Sequence, residues 1–114
     1  MAITLEDALN RFIAVCAFVI SVHNLLTKWR IQLNGGYALD IYFNAGNGKY
    51  SYTLSMGESR ITVWDNAPHH PNLSNFPHHF HSADGSIIPS NLNGDPGHDL
   101  EIVRAEIEHI LAKK

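Results

Sequence analysis

Five of the eight histidines of this chain, His69, His70, His78, His79 and His81, fall within 13 consecutive positions. An even scatter would place about one there. The tripeptide Pro-His-His occurs twice, at 68–70 and 77–79, and Trp64, Asp65 and Asn66 stand just upstream. Imidazoles exchange protons near neutral pH and bind transition metals. Proline fixes φ, so such a segment holds its side chains at lower entropic cost.

Two chemistries follow. In the first, the segment cleaves an RNA phosphodiester: one imidazole takes the proton of the 2′-hydroxyl and a second protonates the leaving 5′-oxygen. His70 and His79 are assigned as this pair, with Asp65 orienting one of them; His69, His78 and His81 are the next candidates. A cation must stabilise the charge on the phosphate. Arg60 is the assigned contact, with Lys49 or a protonated histidine as substitutes. Tyr50 or Tyr52 positions or stacks a base, and Trp64 and Asn66 complete the substrate-binding set. In the second chemistry, His79-x-His81 with Asp65 and His69 or His70 holds a divalent metal, zinc or nickel. An open coordination position would make that a hydrolase; a closed one would make it a staple in a non-enzymatic metal-binding or interaction module. The metal-independent nuclease, needing no cofactor, is favoured. For any single histidine the plainer role is a hydrogen bond to a loop carbonyl. His23, His98 and His109 are assigned to that class, His98 in the first turn of the last helix and His109 near its end.

The elements that must position these residues are legible in part. Thr4 caps a helix with Glu6 and Asp7 in its first turn, and Leu5, Leu9, Phe12, Ile13 and Cys16 recur at helical spacing. Between residues 17 and 28 the pattern suits a buried strand as well as a continued helix. Trp29, Ile31 and Leu33 then alternate with polar residues, and Asn34-Gly35-Gly36 is turn chemistry. Leu39, Ile41 and Phe43 form a second strand, Lys49 to Ser55 a third and Arg60 to Trp64 a fourth. Residues 65–99 hold all five prolines and no sustained period, although Ser82 to Pro89 suits a short hairpin or edge strand. Asp95-Pro96 opens the last helix, whose apolar stripe is Leu100, Val103, Ile107, Ile110 and Leu111. Lys113 and Lys114 suit its negative end. Asp99, Glu101, Glu106 and Glu108 are read as its solvated face.

The expected architecture is therefore α+β: an antiparallel four- to five-stranded meander with an N-terminal and a C-terminal helix. Residues 1–114 form a single domain, divided into a helix-rich segment (1–28), strands (29–64), a His/Pro-rich functional loop (65–94) and a C-terminal helix (95–114). A chain of 114 residues with 45% hydrophobic and 17% charged residues fits one globular domain. Its net charge of −3 argues against a general basic nucleic-acid surface without excluding a local one. The lone cysteine, Cys16, excludes an internal disulfide and reads as a small core residue. The apolar run from Phe12 to Val22 is shorter than the roughly 20 residues a bilayer demands. Glu6 and Asp7 before it are wrong for a signal peptide. A cytoplasmic protein with no membrane association is expected.

Trp64-Asp65-Asn66-Ala67-Pro68-His69-His70-Pro71, followed by Phe76-Pro77-His78-His79 and His81, resembles the signature of the TumE family. Lys49-Tyr50-Ser51-Tyr52 matches the strand that usually precedes it, and the resemblance covers about residues 29–112. It implies the toxin of a bacterial or archaeal toxin–antitoxin pair. The implied partner is a separately encoded antitoxin, a helix-turn-helix protein that also represses the operon. The meander with flanking helices is similar to RelE-like toxins by fold analogy alone, and this acidic chain departs from their basic character. The apolar N-terminal segment lies outside the signature and is left to pack on the sheet, form a homodimer surface or receive the antitoxin.

Overall fold

The computed structural model describes residues 4–113. Two helices, α1 (Leu5–Val15) and α2 (Pro96–Ala112), flank a sheet of seven strands among the described residues. The strands are β1 (Val19–Asn24), β2 (Trp29–Leu33), β3 (Tyr37–Phe43), β4 (Tyr50–Met56), β5 (Ser59–Asp65), β6 (His79–His81) and β7 (Ile87–Pro89). Their spatial order is their chain order, and each pairs antiparallel with the next.

Period-two alternation sorts the sheet into two faces. Ile31, Leu33, Leu39, Ile41, Tyr50, Tyr52, Leu54 and Trp64 point to one face and are buried. Ala8, Leu9 and Phe12 of α1 and Leu100, Val103, Ile107 and Leu111 of α2 join them in one core. The caps are as expected: Thr4 Oγ1 accepts from Asp7 N at 3.1 Å and Asp95 Oδ1 from Gly97 N at 3.2 Å. Each satisfies an N–H that the helix leaves without a partner. Cys16 is buried in the core. Gly35 and Gly36 turn the chain between β2 and β3 with φ of 81° and 85°, a region that favours residues without a Cβ.

Four features correct or settle the expectations. The sheet has seven strands rather than four or five. β1 resolves the ambiguous 17–28 stretch; as an edge strand it buries neither face fully, so it carries no clean alternation. β6, three residues long, comes out of the segment expected to be loop, being too short to show a period, while β7 is the edge strand expected within residues 82–89. Asp99 is not on a solvated face. It is 0% exposed and accepts hydrogen bonds from Asn93 N at 2.9 Å and Gly94 N at 2.8 Å. Glu101 and Glu108 do lie outward, both paired with Arg104. Lys113 caps α2, while Lys114 falls outside the described residues, as do residues 1–3.

Candidate functional site

β6 pairs with β5 so that His79 lies opposite Asp65, Phe80 opposite Trp64 and His81 opposite Val63. Alternation then sends Phe80 into the core against Trp64, with ring centroids 4.9 Å apart. It sends Asp65, His79 and His81 to the face away from the helices. His79 Nε2 stands 2.9 Å from Asp65 Oδ1 and 3.1 Å from His81 Nε2, and His81 Nε2 is 3.4 Å from Asp65 Oδ2. His79 Nδ1 donates to the Pro77 carbonyl at 3.0 Å. One donor atom each from Asp65, His79 and His81 lie within 4.8 Å of one another, so these three residues could hold a metal ion.

The segment from Asn66 to His78 folds back over this face. Two asparagines clamp it. Asn66 accepts from Tyr50 N at 3.0 Å and donates to Gly48 O at 2.9 Å, fixing the near end. Asn75 donates to Ser90 O at 2.7 Å and Leu92 O at 2.9 Å, fixing the far end. Between them His70 lies edge-on to His79, centroids 4.8 Å apart, and 6.2 Å from the His81 ring. His79 is 2% exposed beneath this cover, whereas the His81 side chain is 34% exposed. Burial holds the His81 imidazole below its ordinary pKa; Asp65 opposes that shift, and His79, His70 and Arg60 add to it.

Of the assigned residues, the fold gathers Asp65, His70, His79 and His81 into one cluster. His69 stands at its margin, 6.5 Å from the His70 ring and outside the donor group. His78 turns the other way, sharing a 2.8 Å hydrogen bond with the Tyr50 hydroxyl and stacking on its ring. Tyr50, Tyr52 and Trp64 belong to the core, 2%, 0% and 3% exposed, with Tyr50 stacked on Tyr52 and His78 and Trp64 against Phe80. Burial raises the hydroxyl pKa of both tyrosines. Asn66 spends its side chain on the backbone, as described. Tyr42, between Ile41 and Phe43 on β3, presents an aromatic ring on the open face, a residue to which the sequence reading gave no role. Asn75 was likewise missed, and its left-handed φ of 63° leaves no signal beyond residue type.

Three hollows run across the open face and share walls. The first, about 370 Å³, is lined by Lys28, Arg30, Asp40, Tyr42, Ser51 and Arg60 among others. The second, also about 370 Å³, shares Tyr42 and Ser51 and adds Lys49, Asp65, Pro68 and His69. The third, about 230 Å³, shares His69 and adds His70 and Ile87. Asp65 of the cluster lines the second hollow and His70 the third, with His69 as the wall they share. Within the first hollow, Asp40 accepts from Arg30 Nε at 2.7 Å and Lys28 Nζ at 2.8 Å. Chiefly through the Arg30 hydrogen bonds, its carboxyl is held below the usual 3.8. A depressed carboxyl adds stability above its unfolded pKa and loses it as pH falls through the folded value. Both cations are more than a third exposed, so the contribution is under about 1 kcal/mol. The Asp40→Asn chain should therefore be slightly less stable than wild type in urea at pH 7. The two curves should merge on acidification well below the usual carboxylate pKa, and a gap unchanged by acid would contradict this assignment.

The family model described as Toxin TumE matches residues 6–111. The chain belongs to the TumE toxin family. The match begins within α1, so the N-terminal helix is part of the shared domain and not an addition to a core of 29–112. No curated protein and no solved structure matches the chain. Among the described residues, no helix is long and apolar enough to cross a membrane.

Proposed function

We propose that the chain is the toxin of a toxin–antitoxin pair and acts as an endoribonuclease, with the histidine cluster as its reacting site. Membership of a toxin family supports the first half and implies a neutralising antitoxin as partner. One observation carries the second: His70, which lines the third hollow, stands with its ring centroid 6.2 Å from that of His81, whose side chain is 34% exposed. Cavities of this size hold a nucleobase or a ribose phosphate.

His81 takes the 2′-hydroxyl proton. The 2′-oxygen then attacks phosphorus, the bond to the 5′-oxygen breaks, and His70 gives that oxygen its proton. The products are a 2′,3′-cyclic phosphate and a 5′-hydroxyl end. His79 and Asp65 act as positioning residues beneath, since His79 is closed to substrate and its ring is held at both nitrogens. Arg60 and Lys49 line the two larger hollows and supply positive charge for phosphates. Tyr42, shared by both, offers a face for stacking a base. The overall acidity is tolerable because a local cation pair is enough for a short single strand.

Purified chain incubated with total RNA tests this reading. New 5′-hydroxyl ends, absent when the His70→Ala and His81→Ala changes are combined, are expected. Intact RNA under conditions where the same chain arrests growth would overturn the nuclease and leave a different toxic activity.

A further inference from the structure

We propose that Asp65, His79 and His81 bind one divalent transition-metal ion of the zinc class, with an open coordination position on the side covered by His70. The inference rests on reading this cluster as the working site. It departs from the metal-independent nuclease that the sequence favours.

The argument starts from hydrogen-bond accounting. A carbonyl oxygen only accepts, so the hydrogen between His79 Nδ1 and Pro77 O belongs to the ring nitrogen. The neutral ring then presents a lone pair at Nε2. That lone pair faces the Asp65 carboxylate at 2.9 Å and His81 Nε2 at 3.1 Å. Asp65 Oδ1 already accepts from Ala67 N at 3.0 Å, so the His79 lone pair faces another acceptor beside a ring that is 2% exposed, where an unpaired polar atom is costly. With His81 Nε2 turned to the same point, a proton bridges two of these groups, whereas a divalent cation takes a lone pair from each.

The spacing agrees. Bonds of about 2.0–2.1 Å in a tetrahedral site place neighbouring donors roughly 3.4 Å apart. His79 Nε2 lies 2.9 Å from Asp65 Oδ1 and 3.1 Å from His81 Nε2, His81 Nε2 lies 3.4 Å from the other carboxylate oxygen, and one donor atom per residue falls within 4.8 Å, so a modest adjustment receives an ion. The Pro77 carbonyl does what metal-bound histidines ordinarily require: it fixes the tautomer and orients the ring through the second nitrogen. Cross-strand pairing fixes Asp65 opposite His79, and strand periodicity brings His81 to the same face. The donors are therefore set by backbone ladders rather than by a flexible loop. Two imidazoles and one carboxylate suit zinc, nickel or cobalt better than magnesium or calcium, which prefer all-oxygen sets.

Three protein ligands leave a position free. His70 is outside the donor group, and the exposed part of His81 shows where solvent enters. An ion there would polarise a phosphate oxygen or a water at the open position. His81 would then serve as a ligand, the ion's bound water, ionised to hydroxide, would accept the 2′-hydroxyl proton in its place, and His70 would remain the donor to the 5′-oxygen.

The test uses the full tag-free chain, stripped with a chelator, desalted and titrated calorimetrically with Zn²⁺, and separately with Co²⁺ as a spectroscopic probe. One ion per chain and visible Co²⁺ absorption typical of tetrahedral nitrogen–oxygen coordination are expected. His81→Ala should weaken binding by at least about 100-fold, beyond the 10–100-fold typical of losing a supporting hydrogen bond. Asp65→Asn, which keeps the shape, guards against a variant that fails to fold and should weaken binding as well. His23→Ala with His109→Ala should leave it unchanged. Absence of stoichiometric binding, or binding that survives both ligand substitutions, overturns the site. RNA cleavage by the stripped, ion-free chain together with no stoichiometric binding sinks the metal site and keeps the nuclease. One ion on these ligands in a chain that cuts no RNA does the reverse.

Discussion

Replacing His70 with alanine should abolish growth arrest and cut the RNA-cleavage rate by about 10²–10⁴-fold, the range typical of losing one general acid or base. His70 reaches the cluster from a loop and makes edge-on ring contacts with His79 and His81. Its main-chain carbonyl, which accepts from Leu73 N at 3.2 Å, is unaffected by the change. A substitution of this kind costs about 0.5 kcal/mol. Its melting temperature should therefore stay within about 3 °C of wild type. Paired measurement of cleavage rate and melting temperature checks the claim. A stable variant with full activity would remove His70 from the reaction. His79→Ala cannot serve as the same test, although the sequence places the two residues on equal footing. At 2% exposure, with partners at both nitrogens, its loss leaves a cavity and deprives Asp65 of its nearest partner.

The second large effect is expected far from any histidine of the cluster. Asp99→Ala should destabilise the chain by about 3 kcal/mol, since two backbone N–H groups lose their acceptor and each orphaned group costs about 1–3 kcal/mol. That corresponds to a fall of roughly 10–20 °C in melting temperature. The carboxylate also accepts from His98 Nδ1 at 2.8 Å. Its partners Asn93 and Gly94 follow Leu92, which is fully buried and whose carbonyl accepts from Asn75. Asp99 thus holds the strap to which the far end of the histidine segment is tied. Asp99→Asn keeps one acceptor oxygen and should lose less. Urea unfolding of both variants decides it, and a loss under 1 kcal/mol in the alanine variant would mean the strap finds other acceptors.

Which histidines work together was only half legible. Local rules were enough for the capped helices, the strands from Trp29 to Trp64 and the crowding of imidazoles after them. Each of those depends on residue type, on a period of two or near 3.6, or on a turn, and all are encoded within a few neighbours. The 79–81 alternation was also present, but three residues are too few to distinguish a strand from a proline-rich loop.

Register was not legible. Pairing Asp65 with His79 depends on where the chain returns after thirteen intervening residues, and that is set by Asn66 and Asn75 reaching backbone atoms of other segments. The same return separates His79 and His81 from His78, because one step along a strand reverses the face. It also consigns Tyr50 and Tyr52 to the core and leaves Tyr42 outside, a choice made by which face the helices cover. Sequence determined that this protein carries an imidazole-rich segment on a meander with a helix at each end, because helix, turn and residue chemistry are local. Only the tertiary structure decided which imidazoles converge on Asp65 and which are buried, because strand register and helix placement are settled by contacts between residues distant in the chain.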